Sequence, residues 1–255
     1  MSYEFKKSWT PLTILIIFFG ILMFFIVSNL EVSEIRTPST PVSGCVVMKD
    51  RGNYEDSLNV VFLPENYKNI DEFIQDTEEF MESFLQVVPI NEYSDRFNFF
   101  RIEDLNLNLG CDYSNDAVVC DPIKVKSASV PCPFDYPSVL VQPKGVQNFF
   151  GHLRSSSWRG TTSINTGDDP LVYAHEAAHQ MFGLLDEYTW QGGVVYLEGP
   201  NCDSSVNDCP KFSNVEGSEC NISCVNFKHA RSIDIEIMSK YCKTQILRVC
   251  DERVK

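Results

Sequence analysis

The chain has 255 residues, of which 44% are apolar and 22% are charged, and its formal net charge is -14. These values are typical of a globular protein with enough apolar side chains for one sizeable core. The strong negative charge argues against a nucleic acid partner, because a polyanion would be repelled by this surface.

An apolar segment lies near the amino terminus. Residues 11–30 follow a short polar stretch, residues 1–10, and contain no charged side chain. Their number matches the ~20 residues that a helix needs to cross a bilayer and exceeds the ~7–15 apolar residues of a cleaved signal peptide. We therefore predict an uncleaved transmembrane signal anchor. Lys6 and Lys7 before the segment, with Glu31 after it, predict a cytoplasmic amino terminus and a single-pass protein whose remainder is extracellular or luminal.

The residues after the apolar segment divide into a linker and an exported domain. Residues 31–44 contain Pro, Ser and Thr without apolar periodicity, which is typical of a linker. All ten cysteines lie in residues 45–255, and an even number beyond the span indicates disulfides and an oxidising compartment. Short intervening loops make Cys111–Cys120 and Cys202–Cys209 natural pairs.

Strand and helix patterns alternate through the exported domain. After a buried strand at 58–63, Asn69 and Glu72 form a capping-box pattern that predicts the start of a helix. Apolar residues at helical spacing predict its core face: Phe73, Ile74, Thr77, Phe80, Met81, Phe84, Leu85 and Val88. Further strands are predicted within 96–107, at 138–142 and at 160–165. This order predicts an α/β (α+β) fold with a twisted, mixed, partly parallel sheet.

A second helix is predicted over residues 171–183. Asp169 and Pro170 supply an N-cap and a first-turn proline, and Gly183 can end the helix in a left-handed conformation. The helix carries the pattern H-E-x-x-H at His175, Glu176 and His179. Since residues four apart share one helix face, both imidazoles can point toward one ion. The rival interpretation is a pair of packed or surface histidines.

The chemistry of this pattern is that of a catalytic zinc site. Neutral imidazole is a good ligand for Zn²⁺, and a catalytic zinc keeps a position for water beside three protein ligands. The metal lowers the pKa of that water, and Glu176 is placed to take its proton. The third ligand must come from elsewhere, and a chain reversal at Gly183 would bring Asp186 toward the ion. Alternatives are Glu187, His152 and His229, or a purely structural role for the Asp186 carboxylate.

The segment HEAAHQMFGLLDEY resembles the signature of the IgA peptidase family of zinc metallopeptidases. The matching residues are His175, Glu176, His179, Gly183, Leu184, Asp186, Glu187 and Tyr188. The resemblance extends over roughly residues 55–190, through the opening strand, helix and strand. It implies a zincin-like, metzincin-like fold, zinc bound by two histidines with Asp186 as the third ligand, and Glu176 as the base. Ala178 and Phe182 stand where the family often has glycine, so the resemblance does not extend to a substrate.

The sequence therefore predicts a membrane-anchored zinc metalloendopeptidase that hydrolyses peptide or protein substrates outside the cytoplasm. Residues 11–30 would attach it to the membrane, and residues 45–255 would form the catalytic domain. Two other functions fit the same motif. One is a surface recognition module that binds metal without catalysis, and the other is a zinc hydrolase of a non-peptide amide.

Overall fold

A computed structural model of the chain describes residues 44–88, 90–113, 117–143, 153–185 and 200–203, and the strand segments 220–223, 229–232, 236–237 and 241–242. The helices in these residues are α1 (Ile70–Gln86), α2 (Pro122–Ser129) and α3 (Val172–Phe182), with a 3-10 helix at Ile90–Arg96. The strands of the main sheet are β1 (Cys45–Lys49), β2 (Leu58–Glu65), β3 (Phe97–Ile102), β4 (Tyr136–Val141), β5 (Ser156–Trp158) and β6 (Thr161–Asn165).

The six strands form one mixed sheet in the order β1-β3-β2-β4-β6-β5. Its four central strands are parallel, whereas the edge strands β1 and β5 run antiparallel to β3 and β6. The predicted mixed, partly parallel sheet is thus confirmed, and each of the four predicted strands overlaps a central strand. Beyond it, the backbones of β7 (Cys202–Asp203), β8 (Cys220–Ser223) and β9 (His229–Ser232) form a three-stranded sheet, and β10 (Glu236–Ile237) pairs with β11 (Tyr241–Cys242).

Helix α1 packs on one face of the sheet together with α3, and the larger apolar cluster lies between them and the strands. The predicted apolar stripe of α1 is largely confirmed, since Phe73, Thr77, Phe80 and Phe84 are buried. Val88 is an exception with 40% exposure, because the helix ends at Gln86 and the backbone is already extended at Val87. The predicted N-cap is also confirmed, since Asn69 Oδ1 accepts a hydrogen bond from the Asp71 amide. Glu72 accepts instead from Gln142 Nε2.

Helix α2 covers the opposite face of the sheet and was not predicted. Val125 and Ala128 on α2 pack in the second apolar cluster, with the β2 residues Val61 and Leu63. The helix has only eight residues and little amphipathic pattern, so periodicity could not reveal it. Its start did carry a local signal: Asp121 before Pro122 is an N-cap followed by a first-turn proline, and Asp121 Oδ1 accepts from the Ile123 amide.

Two disulfides lie in the described residues, Cys45–Cys132 and Cys111–Cys120. The second confirms one predicted pair, whereas Cys209 of the other predicted pair lies outside the described residues. Cys45–Cys132 joins the edge strand β1 to the segment that follows α2, across 87 residues of sequence. It therefore closes a much longer loop than Cys111–Cys120, which spans nine.

We expect replacement of Cys45 and Cys132 by alanine to lower the free energy of unfolding more than the matched Cys111→Ala and Cys120→Ala pair. Loop-closure entropy gives about 4.6 kcal/mol for the long loop and about 2.6 kcal/mol for the short one. Urea unfolding of the two variants, followed by circular dichroism, measures the difference. Equal losses, or a larger loss for the short loop, would contradict the expectation.

The predicted membrane anchor, residues 11–30, and the linker up to residue 43 lie outside the described residues. Within the part of the chain that the structure describes, no helix is both long and apolar enough to span a bilayer.

Candidate metal centre

Helix α3 is held close to the sheet by small and aromatic side chains on its inner face. Ala174, Ala177 and Ala178 are completely buried, and alanine allows the helix backbone to approach the strands closely. Tyr173 in the first turn is also fully buried, and its hydroxyl lies 3.2 Å from Ser138 Oγ on β4. Burial raises the pKa of the Tyr173 phenol, so this packing residue stays neutral.

The start of α3 differs in detail from the prediction. Asp169 Oδ1 accepts a hydrogen bond from the Leu171 amide, so Asp169 caps the turn that leads into the helix. The next amides, at Val172 and Tyr173, bond to carbonyls three residues earlier, which makes this turn tighter than an α-helix. The α-helix proper therefore begins at Val172, later than the predicted residue 171.

The end of α3 matches the prediction closely. Gly183 has φ of 65°, a left-handed conformation that favours glycine, and its amide bonds to the His179 carbonyl. The chain reverses there, and the Leu184 carbonyl oxygen comes within 2.6 Å of His179 Nδ1. A carbonyl oxygen can only accept, so Nδ1 carries the proton, and a neutral His179 ring presents the lone pair of Nε2.

The two histidines of the motif face each other across one helical turn. Their rings are nearly perpendicular, and the two Nε2 atoms are 3.3 Å apart. Tetrahedral zinc bound about 2.0–2.1 Å from each of two nitrogens would separate them by about 3.3 Å. The separation therefore fits two ligands of one zinc ion. It also fits a hydrogen bond between the two rings, with the N–H of His175 Nε2 donating to the lone pair of His179 Nε2.

Glu176 lies beside this pair and is largely buried. Its side chain is only 11% exposed, and Oε1 is 4.0 Å from His175 Nε2. The carboxylate thus reaches the same small volume as the two imidazole nitrogens. The structure thus brings the carboxylate of Glu176 and the imidazole nitrogens of His175 and His179 together on one side of the helix.

The predicted third ligand, Asp186, lies outside the described residues, as do Glu187 and His152 and the side chain of His229. Within the described ranges, no group of three or more His, Cys, Asp or Glu side chains is arranged to hold a metal ion. The structure nevertheless describes the residue just before Asp186. Leu185 donates its amide to Asn201 Oδ1 and accepts from Asn201 Nδ2, at 2.8 and 2.7 Å.

Two residues that sequence reasoning missed position the site. Asn201 is completely buried and holds the backbone that leads into Asp186. Gln180 joins α3 to the β5–β6 hairpin, since its Nε2 donates to the Gly160 carbonyl and its Oε1 accepts from the Thr162 hydroxyl. Neither residue carries a local signal, because both partners lie 16 to 20 residues away.

The sequence was also compared with known proteins. No protein-family model matches the chain, and no curated protein is significantly similar to it.

Proposed function

We propose that this chain is a membrane-anchored zinc-dependent endopeptidase that hydrolyses peptide bonds outside the cytoplasm, with a zincin-like domain at residues 45–255. The observation that carries the proposal is the pair of Nε2 atoms 3.3 Å apart with the Glu176 carboxylate beside them. A buried carboxylate next to two convergent imidazoles is costly in a purely structural role. It is useful where a cation and a proton acceptor must act on one water molecule.

His175 and His179 would hold the zinc ion through Nε2, and Asp186 would supply the third ligand beyond the bend at Gly183. The Leu184 carbonyl fixes the tautomer and orientation of the His179 ring, as outer-shell partners of metal-bound histidines do. Asn201 supports the Asp186 assignment, because it holds the backbone of the preceding residue, Leu185.

Bound zinc would polarise the scissile carbonyl and acidify a water molecule. Glu176 accepts the proton of the attacking water at its carboxylate and then donates it to the departing amine nitrogen. Its position in the second turn of a rigid helix keeps that oxygen close to the imidazole pair. Glu176 is largely buried, so bulk water does not screen the electrostatic interaction between its carboxylate and the reacting groups.

The edge strand β5 would hold an extended peptide substrate by backbone pairing. It is the edge strand next to β6 in the sheet order. Gln180 of α3 donates a hydrogen bond to the Gly160 carbonyl, in the turn of the β5–β6 hairpin. Strand addition gives affinity through main-chain hydrogen bonds and leaves alternate side chains for selection. At Arg154, the start of this edge already pairs with Ala117, so residues 156–158 are the segment that we assign to the substrate.

The proposal is tested on the full-length chain in detergent. We expect it to bind about one zinc per chain and to cleave members of an unbiased peptide library. A chelator should abolish cleavage, and added zinc should restore it. Zinc binding without cleavage of any library would support a recognition module, and activity on non-peptide amides alone would support the other hydrolase class. Cleavage that is indifferent to the chelator would overturn the zinc assignment.

A further inference from the structure

We propose that Trp158 and Arg159 form a subsite that selects an acidic side chain in the extended peptide held on β5. This inference rests on the proposed function and deepens it, because it names a chemical class of substrate. The class is peptides that carry aspartate or glutamate near the bond that is cleaved. The two residues lie at the end of β5, where the chain turns into β6.

Arg159 and Gly160 form the two-residue turn that joins β5 to β6. Both residues have a left-handed backbone, with φ of 48° and 75°, as the two central residues of a type I′ turn have. Asparagine, aspartate and glycine are favoured at the first of these positions, whereas arginine adopts a positive φ at a cost in stability. Residues held in such a conformation cluster at functional sites. The backbone therefore points to a use for the Arg159 side chain beyond the turn itself.

The strand register divides the side chains of β5 between the two faces of the sheet. Ser157 pairs with Thr162, whose hydroxyl donates to Gln180 on α3, so Ser157 faces the motif helix. Trp158 follows Ser157 and therefore projects from the opposite face, together with its cross-strand partner Thr161. A peptide paired with this edge alternates in the same way. Its side chain beside Ser157 is directed toward α3, and the next side chain lies beside Trp158.

The surface beside Trp158 is basic, although the chain as a whole carries a net charge of -14. The Arg159 guanidinium carbon lies 5.5 Å from the centre of the Trp158 ring, and a Cβ built on Gly160 would lie 3.5 Å from Lys126 Nζ. In the part of the chain that the structure describes, no carboxylate forms an ion pair with Arg159 or Lys126. Arginine binds carboxylates through charge-assisted hydrogen bonds that are frequently bidentate. Trp158 is 54% exposed, so its ring offers apolar contact to the methylene groups of an acidic side chain.

The turn that carries the subsite is joined to the helix that carries the proposed metal ligands. The Gly160 carbonyl accepts a hydrogen bond from Gln180 Nε2 at 2.7 Å, and Gln180 directly follows His179 in the chain. The subsite is thus held at a fixed place relative to the imidazole pair. An acidic side chain bound at Arg159 therefore fixes the register of the peptide and presents one defined peptide bond for hydrolysis.

Binding and cleavage by the full-length chain in detergent test the proposal separately. The probes are two dye-labelled pools of nonapeptides, randomised among uncharged residues except at the central position, which holds glutamate in one pool and glutamine in the other. Fluorescence polarisation with the Glu176→Gln variant measures binding without turnover. An exposed charge pair is worth about 2- to 5-fold in affinity, so we expect the glutamate pool to bind tighter by about that factor. The wild type should cleave the glutamate pool at a constant number of residues from the glutamate.

Arg159→Asn, made in both the wild type and Glu176→Gln, removes the cation and places a favoured residue in the turn, so the fold should be at least as stable. We expect this variant to lose the preference for the glutamate pool in binding and in kcat/KM, with little change for the glutamine pool. Arg159→Glu should instead prefer a third pool with lysine at the central position. Arg96→Asn removes an exposed cation elsewhere and, as the matched control, should keep the preference of the parent chain.

Equal binding of the glutamate and glutamine pools, or a preference that survives in Arg159→Asn, would overturn the subsite. Cleavage of both pools with equal kcat/KM would also overturn it and leave the endopeptidase standing. Preferential binding that Arg159→Asn abolishes, without cleavage of either pool by the wild type, would support the subsite and contradict the endopeptidase. The two readouts therefore distinguish failure of this inference from failure of the proposed function.

Discussion

Replacement of Glu176 by glutamine is expected to lower the rate of peptide hydrolysis by about 10²- to 10⁴-fold while zinc stays bound. Glutamine has nearly the same volume, so the small space beside His175 remains filled, but an amide oxygen cannot accept the proton of the attacking water. Because Glu176 is not among the proposed ligands, His175, His179 and Asp186, the metal content should be unchanged. Peptide turnover and zinc content of the same purified sample measure the two effects.

The control for this variant is Glu79→Gln, which removes one carboxylate from the exposed surface of α1. It should retain the wild-type rate, so that a general effect of lost negative charge is excluded. Full turnover by Glu176→Gln would show that this carboxylate is not the base. Loss of zinc together with activity would show instead that Glu176 holds the metal or the fold, and the assignment of its role would be wrong.

Replacement of His179 by alanine is expected to abolish zinc binding, from about one ion per chain to about none. The loss of affinity should exceed the roughly 10- to 100-fold that removal of an outer-shell partner costs. In the wild type, zinc at 100 times its dissociation constant should stabilise the fold by about 2.7 kcal/mol, and the variant should gain nothing. Calorimetric titration and thermal unfolding with and without zinc measure both quantities.

His152→Ala and His229→Ala are the matched controls, since each removes one imidazole that the sequence left as a more distant ligand candidate. Both should bind zinc as the wild type does. The same titration distinguishes the carboxylates beyond the bend, because Asp186→Ala should weaken binding and Glu187→Ala should not. Zinc affinity that survives in His179→Ala would contradict the metal centre, and a reversed result for the two carboxylates would move the third ligand to Glu187.

Local patterns predicted the elements that carry the site, for reasons that can be traced to single residues. The prediction of the motif helix depended on Asp169 and Pro170 before it and on Gly183 after it. Each of these residues acts on the backbone over only one or two turns. The stripe on α1 emerged from its spacing of aromatic residues, except at Val88, which lies past the last turn of the helix. Helix α2 and the short edge strands β1 and β5 were missed, because each is too short for a periodic signal.

The sequence by itself determined that His175, Glu176 and His179 share one helix. It also determined that a glycine follows at the point where the chain can turn. Both features are local, because backbone hydrogen bonds and the conformational freedom of glycine act over a few residues. Only the tertiary structure decided the strand order, the side of the sheet that each helix covers, and the partners of Gln180 and Leu185. Those partners depend on which distant segments pack together to bury apolar surface, a property of the whole chain that no short stretch of residues encodes.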